Sequence, residues 1–227
     1  MLQRKRILFY LTFILTTVFV FSLSISNIKA SVGLFYVSGQ HYNTQVYGSS
    51  GTQVTHSVTV IQETGGGCAS FATFWLDSYN WTGIGFYQGW NFENGQFYNY
   101  PRYYYDYKWN DSYHFHDLGI APLNQNHSYS VHLIPQQPYP DKGIMVLSID
   151  SSSKAYLYNY NYAGGVALGE SESHNSQNTM DYHFWNMKYA SSTGYWYPFQ
   201  ATVFYRNLPY QINVKSVTEW YAYGGGQ

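Results

Sequence analysis

Two glutamates, Glu170 and Glu172, sit two residues apart in the run Val166–Ser173, in phase with the apolar Val166 and Leu168. Alternate residues of an extended strand face one side, so both acids continue an apolar stripe. A carboxyl beside apolar walls and a second acid keeps its proton to higher pH, which suits acid–base chemistry. The plainer reading is a stripe that has reached the sheet rim, where both acids are solvated. Glu170 is nearer the apolar part and is the stronger candidate. In Thr82–Trp90 the same period puts Gln88 on one face with Ile84, Phe86 and Trp90. A buried amide must be hydrogen-bonded. Gln88 is therefore either a structural glutamine satisfied by neighbouring backbone or a donor able to stabilise an oxyanion.

Other chemistry is thinner. His114-Phe115-His116-Asp117 puts two imidazoles on one strand face, but no further His or Cys cluster completes a metal site, and none is expected. No Gly-x-Ser-x-Gly elbow supports a serine nucleophile. Cys68, after three glycines, reads as a small buried residue. No cofactor is implied.

The elements that position these groups read as strands. Residues 54–61 alternate Val54, His56, Val58 and Val60 with Thr55, Ser57, Thr59 and Ile61, and residues 128–133 alternate likewise. Further β-type runs are Leu34–Val37, Ser70–Leu76, Thr82–Trp90, Gln96–Tyr107, Ile144–Ile149, Ala155–Tyr160, Val166–Ser173, Tyr182–Tyr189 and Ile212–Thr218. Glycine- and asparagine-rich turns separate them, among them Gly65-Gly66-Gly67 and Asn94-Gly95. No stretch keeps a helical period. About a dozen antiparallel strands predict an all-β sandwich or barrel in one domain, 31–227, with the terminal Gly224-Gly225-Gly226-Gln227 as a frayed end.

Composition narrows the class. Of 227 residues, 21% are aromatic and 10% charged, a balance unlike a disordered tail or a coiled coil. A single cysteine excludes an internal disulfide framework, and the lack of a basic cluster beyond the N-terminus argues against nucleic acid as a partner. Arg4, Lys5 and Arg6 precede the apolar run 7–23, and polar residues then lead to the small Ala30. This is the pattern of a secretory signal over residues 1–30, with a retained membrane anchor as the competing reading. Cleavage after Ala30 would leave seven Lys and Arg against twelve Asp and Glu, and no membrane contact. A secreted or cell-surface monomer is expected. The crowd of rings from Tyr98 to Trp109 suits a surface that meets sugars or extended peptides, unless tyrosine is simply the exposed β-former here.

Several segments resemble the glutamic peptidases, the eqolisin family. Trp81-Thr82-Gly83-Ile84 followed by Gln88-Gly89-Trp90-Asn91-Phe92 is similar to that family's Trp-x-Gly-Ile segment and the strand bearing its glutamine. Tyr104-Tyr105-Asp106-Tyr107 stands where the family has an aromatic–acid–aromatic strand. Val166-Ala167-Leu168-Gly169-Glu170 resembles the strand ending in its glutamate, and Phe184-Trp185-Asn186-Met187-Lys188-Tyr189 the strand after it. The family's Trp-Tyr-Glu-Trp block has no counterpart. The resemblance, over about residues 70–190, implies a concanavalin-like jelly-roll β-sandwich and an acid endopeptidase. It implies Gln88 and Glu170 as the catalytic pair, with Trp81, Trp90, Tyr105, Tyr107 and Glu172 binding a polypeptide substrate. Two alternatives remain open. One is a non-catalytic, lectin-like sandwich that binds polysaccharide or glycan. The other is a jelly-roll glycoside hydrolase or lyase using Glu170 and Glu172.

Overall fold

Alternation of inward and outward side chains is realised in fifteen strands and one short 3-10 turn, Gln62–Thr64, in the computed structural model, which describes residues 32–41, 45–64, 66–200 and 202–226. The signal expected over residues 1–30 lies outside the described residues. The strands are β1 (Val32–His41), β2 (Gly48–Val54), β3 (Gly67–Trp75), β4 (Trp81–Trp90), β5 (Phe97–Trp109), β6 (Ser112–Ile120), β7 (Asn126–Gln136) and β8 (Tyr139–Ile149). They continue as β9 (Ser152–Asn161), β10 (Val166–Asn175), β11 (Thr179–Ala190), β12 (Trp196–Pro198), β13 (Thr202–Arg206), β14 (Gln211–Ser216) and β15 (Glu219–Gly225). A seven-stranded sheet runs β13-β1-β10-β3-β4-β5-β6, and an eight-stranded sheet runs β14-β15-β11-β2-β7-β8-β9, with β12 pairing β11 at its side. Neighbours are antiparallel throughout, and the two sheets form a jelly-roll-type β-sandwich.

The core lies between the sheets. The seven-stranded sheet contributes Phe74, Ile84, Phe86 and Ala167, and the other sheet contributes Tyr129, Leu147, Phe184 and Trp220. Trp220 is fully buried because two glycines, Gly39 on β1 and its ladder partner Gly169 on β10, leave a slot for its indole. A Cβ at Gly39 would stand 2.6 Å from the Trp220 ring, and one at Gly169 would stand 2.8 Å from it. Gly169→Ala is expected to cost about 1–3 kcal/mol by overpacking, readable as a lowered urea midpoint with an unchanged m-value.

Two expectations are corrected. Residues 55–61, read as a strand, have no ladder partner and run as an irregular segment. Their backbone donors go instead to Gln125 O (from Thr55), Gln88 Oε1 (from Val58), Thr179 Oγ1 (from Thr59) and Asn178 Oδ1 (from Ile61). Alternating residue types cannot distinguish a strand from a segment capped by side-chain amides. The terminal glycines are not frayed through Gly226. Gly224 and Gly225 pair with Met180 and Thr179, and the Gly226 N–H donates to Ser176 O and Asn178 O.

Candidate active site

The outer face of the seven-stranded sheet carries a second, smaller aromatic cluster of Ala69, Phe71, Tyr87, Tyr104 and Phe115. On β10 the inward positions hold Ala167, Gly169, Ser171 and Ser173. The outward ones hold Leu168, Glu170, Glu172 and His174, so both glutamates share this outer face. Ladder register sets their neighbours. Glu172 stands between Tyr36 on β1 and Ala69 on β3, and Glu170 stands between Ser38 and Phe71. The same face receives Asp106 from β5, through the row Leu168–Thr73–Gly83–Asp106.

Glu170 is 6% exposed and lies at a cavity of about 550 Å³, walled by Tyr36, Trp75, Leu168 and Tyr205. Glu172 and His174 line a narrower cleft with Tyr104, Tyr113 and Phe115. The two glutamates thus sit between two recesses of one surface.

Their environments differ. Burial, and then the charge of Glu172, push the Glu170 carboxyl up to about 8. Burial also raises Glu172, but His174 opposes that shift. The two carboxyls are coupled, and a charge on Glu172 makes Glu170 hold its proton longer. Asp106, 2% exposed, is held well above the ordinary carboxyl range by burial and by Glu172, although a hydrogen bond from Tyr113 Oη (3.0 Å) acts in the opposite sense. Among the described residues no group of three or more His, Cys, Asp and Glu side chains is placed to hold a metal ion.

The seven site residues expected from sequence do not all meet here. Trp81 lies on the outer face, stacked on Trp75 at 6.2 Å and 6.0 Å from Tyr113. Trp90 reaches the Glu172 cleft because Gly89, at φ +134°, turns the end of β4. Its Nε1 donates to Gln62 O.

Gln88 does not face Glu170. It lies on the inner side of the sheet, in register with the core residue Cys68, and is 4% exposed. Its amide is fully engaged: Nε2 donates to Val58 O (2.7 Å) and Asn99 O (3.0 Å), and Oε1 accepts from Val58 N (3.1 Å). The plainer of its two readings describes this geometry. Tyr105 and Tyr107 are likewise on the inner side, stacked on His116 at 4.6 Å and on His114 at 4.5 Å. The reason is the period of two along β5: Tyr104 and Asp106 point outward, so Tyr105 and Tyr107 cannot.

Tyr36, Tyr104, Asp106 and Tyr113 are not among the site residues expected from sequence, although Tyr104 and Asp106 lie in the aromatic–acid–aromatic segment. The signal for Asp106 was present, since an acid flanked by rings at every neighbouring position is an acid on a largely apolar strand. Tyr36 and Tyr113 came from separate segments, and only the sheet order brings them to β10.

No protein-family model matches the chain, and no curated protein matches it in sequence. Solved structures do match in fold. One is scytalido-glutamic peptidase with a transition state analog inhibitor, with TM-score 0.58 and 11% identity over 85% of this chain and 100% of that one. A second structure of that peptidase, with a peptide-based transition state analog, gives TM-score 0.57 and 9% identity over 86% and 100%. SCP-B, a member of the eqolisin family in complex with the tripeptide Ala-Ile-His, gives 0.50 and 11% over 86% and 100%. At such identities the likeness is one of architecture: this chain has a fold similar to that of the glutamic peptidases.

Proposed function

We propose that the chain is a peptide hydrolase working from the outer face of the seven-stranded sheet, with Glu172 as general base and Glu170 as general acid. The observation that carries this reading is the pair of neighbouring carboxyls on one face, one of which must ionise before the other. Environments that push two titratable groups apart assign the acid and the base. The fold likeness supports a peptide as substrate.

Glu172, as carboxylate, takes a proton from water while the oxygen bonds to the peptide carbonyl carbon. Glu170 gives its proton to the carbonyl oxygen, so a neutral tetrahedral diol forms. Collapse moves the proton from Glu172 to the leaving nitrogen. The C–N bond breaks, and a diol hydroxyl returns its proton to Glu170 as C=O reforms. No step uses the Glu170–Gln88 pair, because the Gln88 amide is occupied on the opposite side of the sheet. Working pH is bounded above by ionisation of Glu170 near 8, and below by protonation of Glu172. Export after loss of residues 1–30 belongs to the same proposal and is supported by the basic cluster and apolar run at the N-terminus.

A glycoside hydrolase would use the same two carboxyls, so substrate choice is the test. Purified protein is incubated between pH 4 and 8 with a peptide library and with a polysaccharide panel, and products are read by mass spectrometry. Peptide fragments made by the wild type are the expected result. Reducing ends released from polysaccharide, with peptides intact, would transfer the same pair to glycoside hydrolysis. No turnover of either class would leave a binding sandwich.

A further inference from the structure

Gln88, the amide expected to serve the carbonyl oxygen, faces the other way and cannot reach it. The geometry points to Tyr113 as the hydrogen-bond donor to that oxygen, with Asp106 behind it as the positioning residue that turns the phenol hydrogen toward substrate. This inference deepens the peptide-hydrolase reading and rests on it.

Tyr113, near the start of β6, is 47% exposed and lines the cleft shared by Glu172 and His174. Its hydroxyl is therefore within the working surface. Asp106 lies behind it, with Oδ2 3.0 Å from Tyr113 Oη and Oδ1 buried with no hydrogen-bond partner. A carboxylate in such a place would be an uncompensated buried charge, and groups so placed take up a proton. The two acids facing it act in the same sense, while the Tyr113 hydroxyl opposes them. Glu170 and Glu172 from β10 repel a charge on it, and Tyr36, Tyr104 and Tyr113 are neutral phenols whose own ionisation is pushed up. Lys108, two residues along β5, is turned away to Asp111 at 2.8 Å.

A neutral Asp106 changes what the 3.0 Å contact does. With its proton on Oδ2, Asp106 donates to the phenol oxygen, reversing the contact in which Tyr113 Oη donates to Oδ2, and the phenol hydrogen is freed for a second acceptor. Across the cleft that acceptor is the substrate carbonyl oxygen, polarised as attack begins and before Glu170 protonates it. A neutral acid that donates a hydrogen bond in an apolar site is a known device for oxyanions. Here the acid acts one bond removed, and the donation polarises the phenol further.

Three variants and one spectrum test this. Tyr113→Phe is expected to lower kcat by about 10²–10³-fold, the scale of one lost oxyanion donor, with KM little changed. Asp106→Leu should approach that loss, and Asp106→Asn should restore most of it, because an amide N–H donates to the phenol oxygen as the acid does. Carboxyl-carbon NMR of selectively labelled protein should show Asp106 titrating well above an ordinary aspartate, whatever the activity. An Asp106 that titrates in the ordinary carboxyl range, or a Tyr113→Phe enzyme within threefold of wild-type kcat, overturns the inference while leaving the acid–base pair standing. Loss of peptide cleavage in the wild type, by contrast, would remove the reading beneath it.

Discussion

Glu170→Gln should lower turnover by orders of magnitude and, in the same molecule, raise stability at alkaline pH. The two effects share one cause, a carboxyl that keeps its proton to about 8. Catalytically, glutamine preserves size and hydrogen bonding but cannot give and recover a proton, so a loss on the order of 10²–10⁴-fold in kcat is expected. For stability the sign follows from proton counts. Below the ordinary value of 4.5 the folded and unfolded chains both hold the proton. Between there and about 8 the unfolded chain releases it while the folded chain keeps it, so stability falls as pH rises and the loss is complete above about 8. The wild type should therefore lose ~3–5 kcal/mol from this group across the window, and the glutamine variant should not. Thermal unfolding at pH 4 and pH 8.5 reads the difference directly. Parallel curves for the two proteins would show that Glu170 titrates normally and would remove its assignment as the acid. Glu172→Gln should be as inactive, but should keep a residual slope, because burial alone still raises Glu170.

The second large effect concerns Gln88, and it separates two accounts of that residue. An oxyanion donor lost by mutation would cost about 2.7–4 kcal/mol in activation and little in folding. The observed contacts predict the reverse. Gln88→Leu leaves the buried Val58 N–H and C=O without their partner, while the Asn99 carbonyl it also frees belongs to an exposed residue. Each buried group so stranded costs about 1–3 kcal/mol, and a drop in Tm on the order of 10 °C follows for a domain of this size. Measured well below that midpoint, kcat should remain within a few-fold of wild type. A hundredfold loss of kcat with an unmoved Tm would restore the catalytic reading of Gln88.

Much of the scaffold could be read in the chain. The period of two along residues 166–173 put Glu170 and Glu172 on one face, and β10 keeps that face. The same rule applied to β5 would have selected Asp106 with Tyr104 and left Tyr105 and Tyr107 on the other side. Gln88 was placed among Ile84 and Phe86, as the strand has it, but parity cannot say which side of a sheet faces the second layer. That depends on partners such as Trp220 and Tyr182, which are more than ninety residues away in the chain. Residues 55–61 failed for a related reason: a strand is defined by its neighbour, and theirs are side-chain amides. The hydroxyls of Tyr36 and Tyr113 reach the site only through the order β1-β10-β3-β4-β5-β6, a long-range property that local spacing does not encode.

The slot formed by Gly39 and Gly169 around Trp220 has a consequence for how this molecule can vary. Three positions on three strands hold one indole between two sheets, so none of them is free to change alone. A methyl group at either glycine would need a smaller ring at 220, and a smaller ring with both glycines kept would leave a void. Substitutions there are tied by contact, and their energies should not add. Gly169 directly precedes Glu170, so this constraint also fixes the backbone from which the buried acid projects. Drift in the core beneath would be felt at the outer face as a change in where a single proton is held.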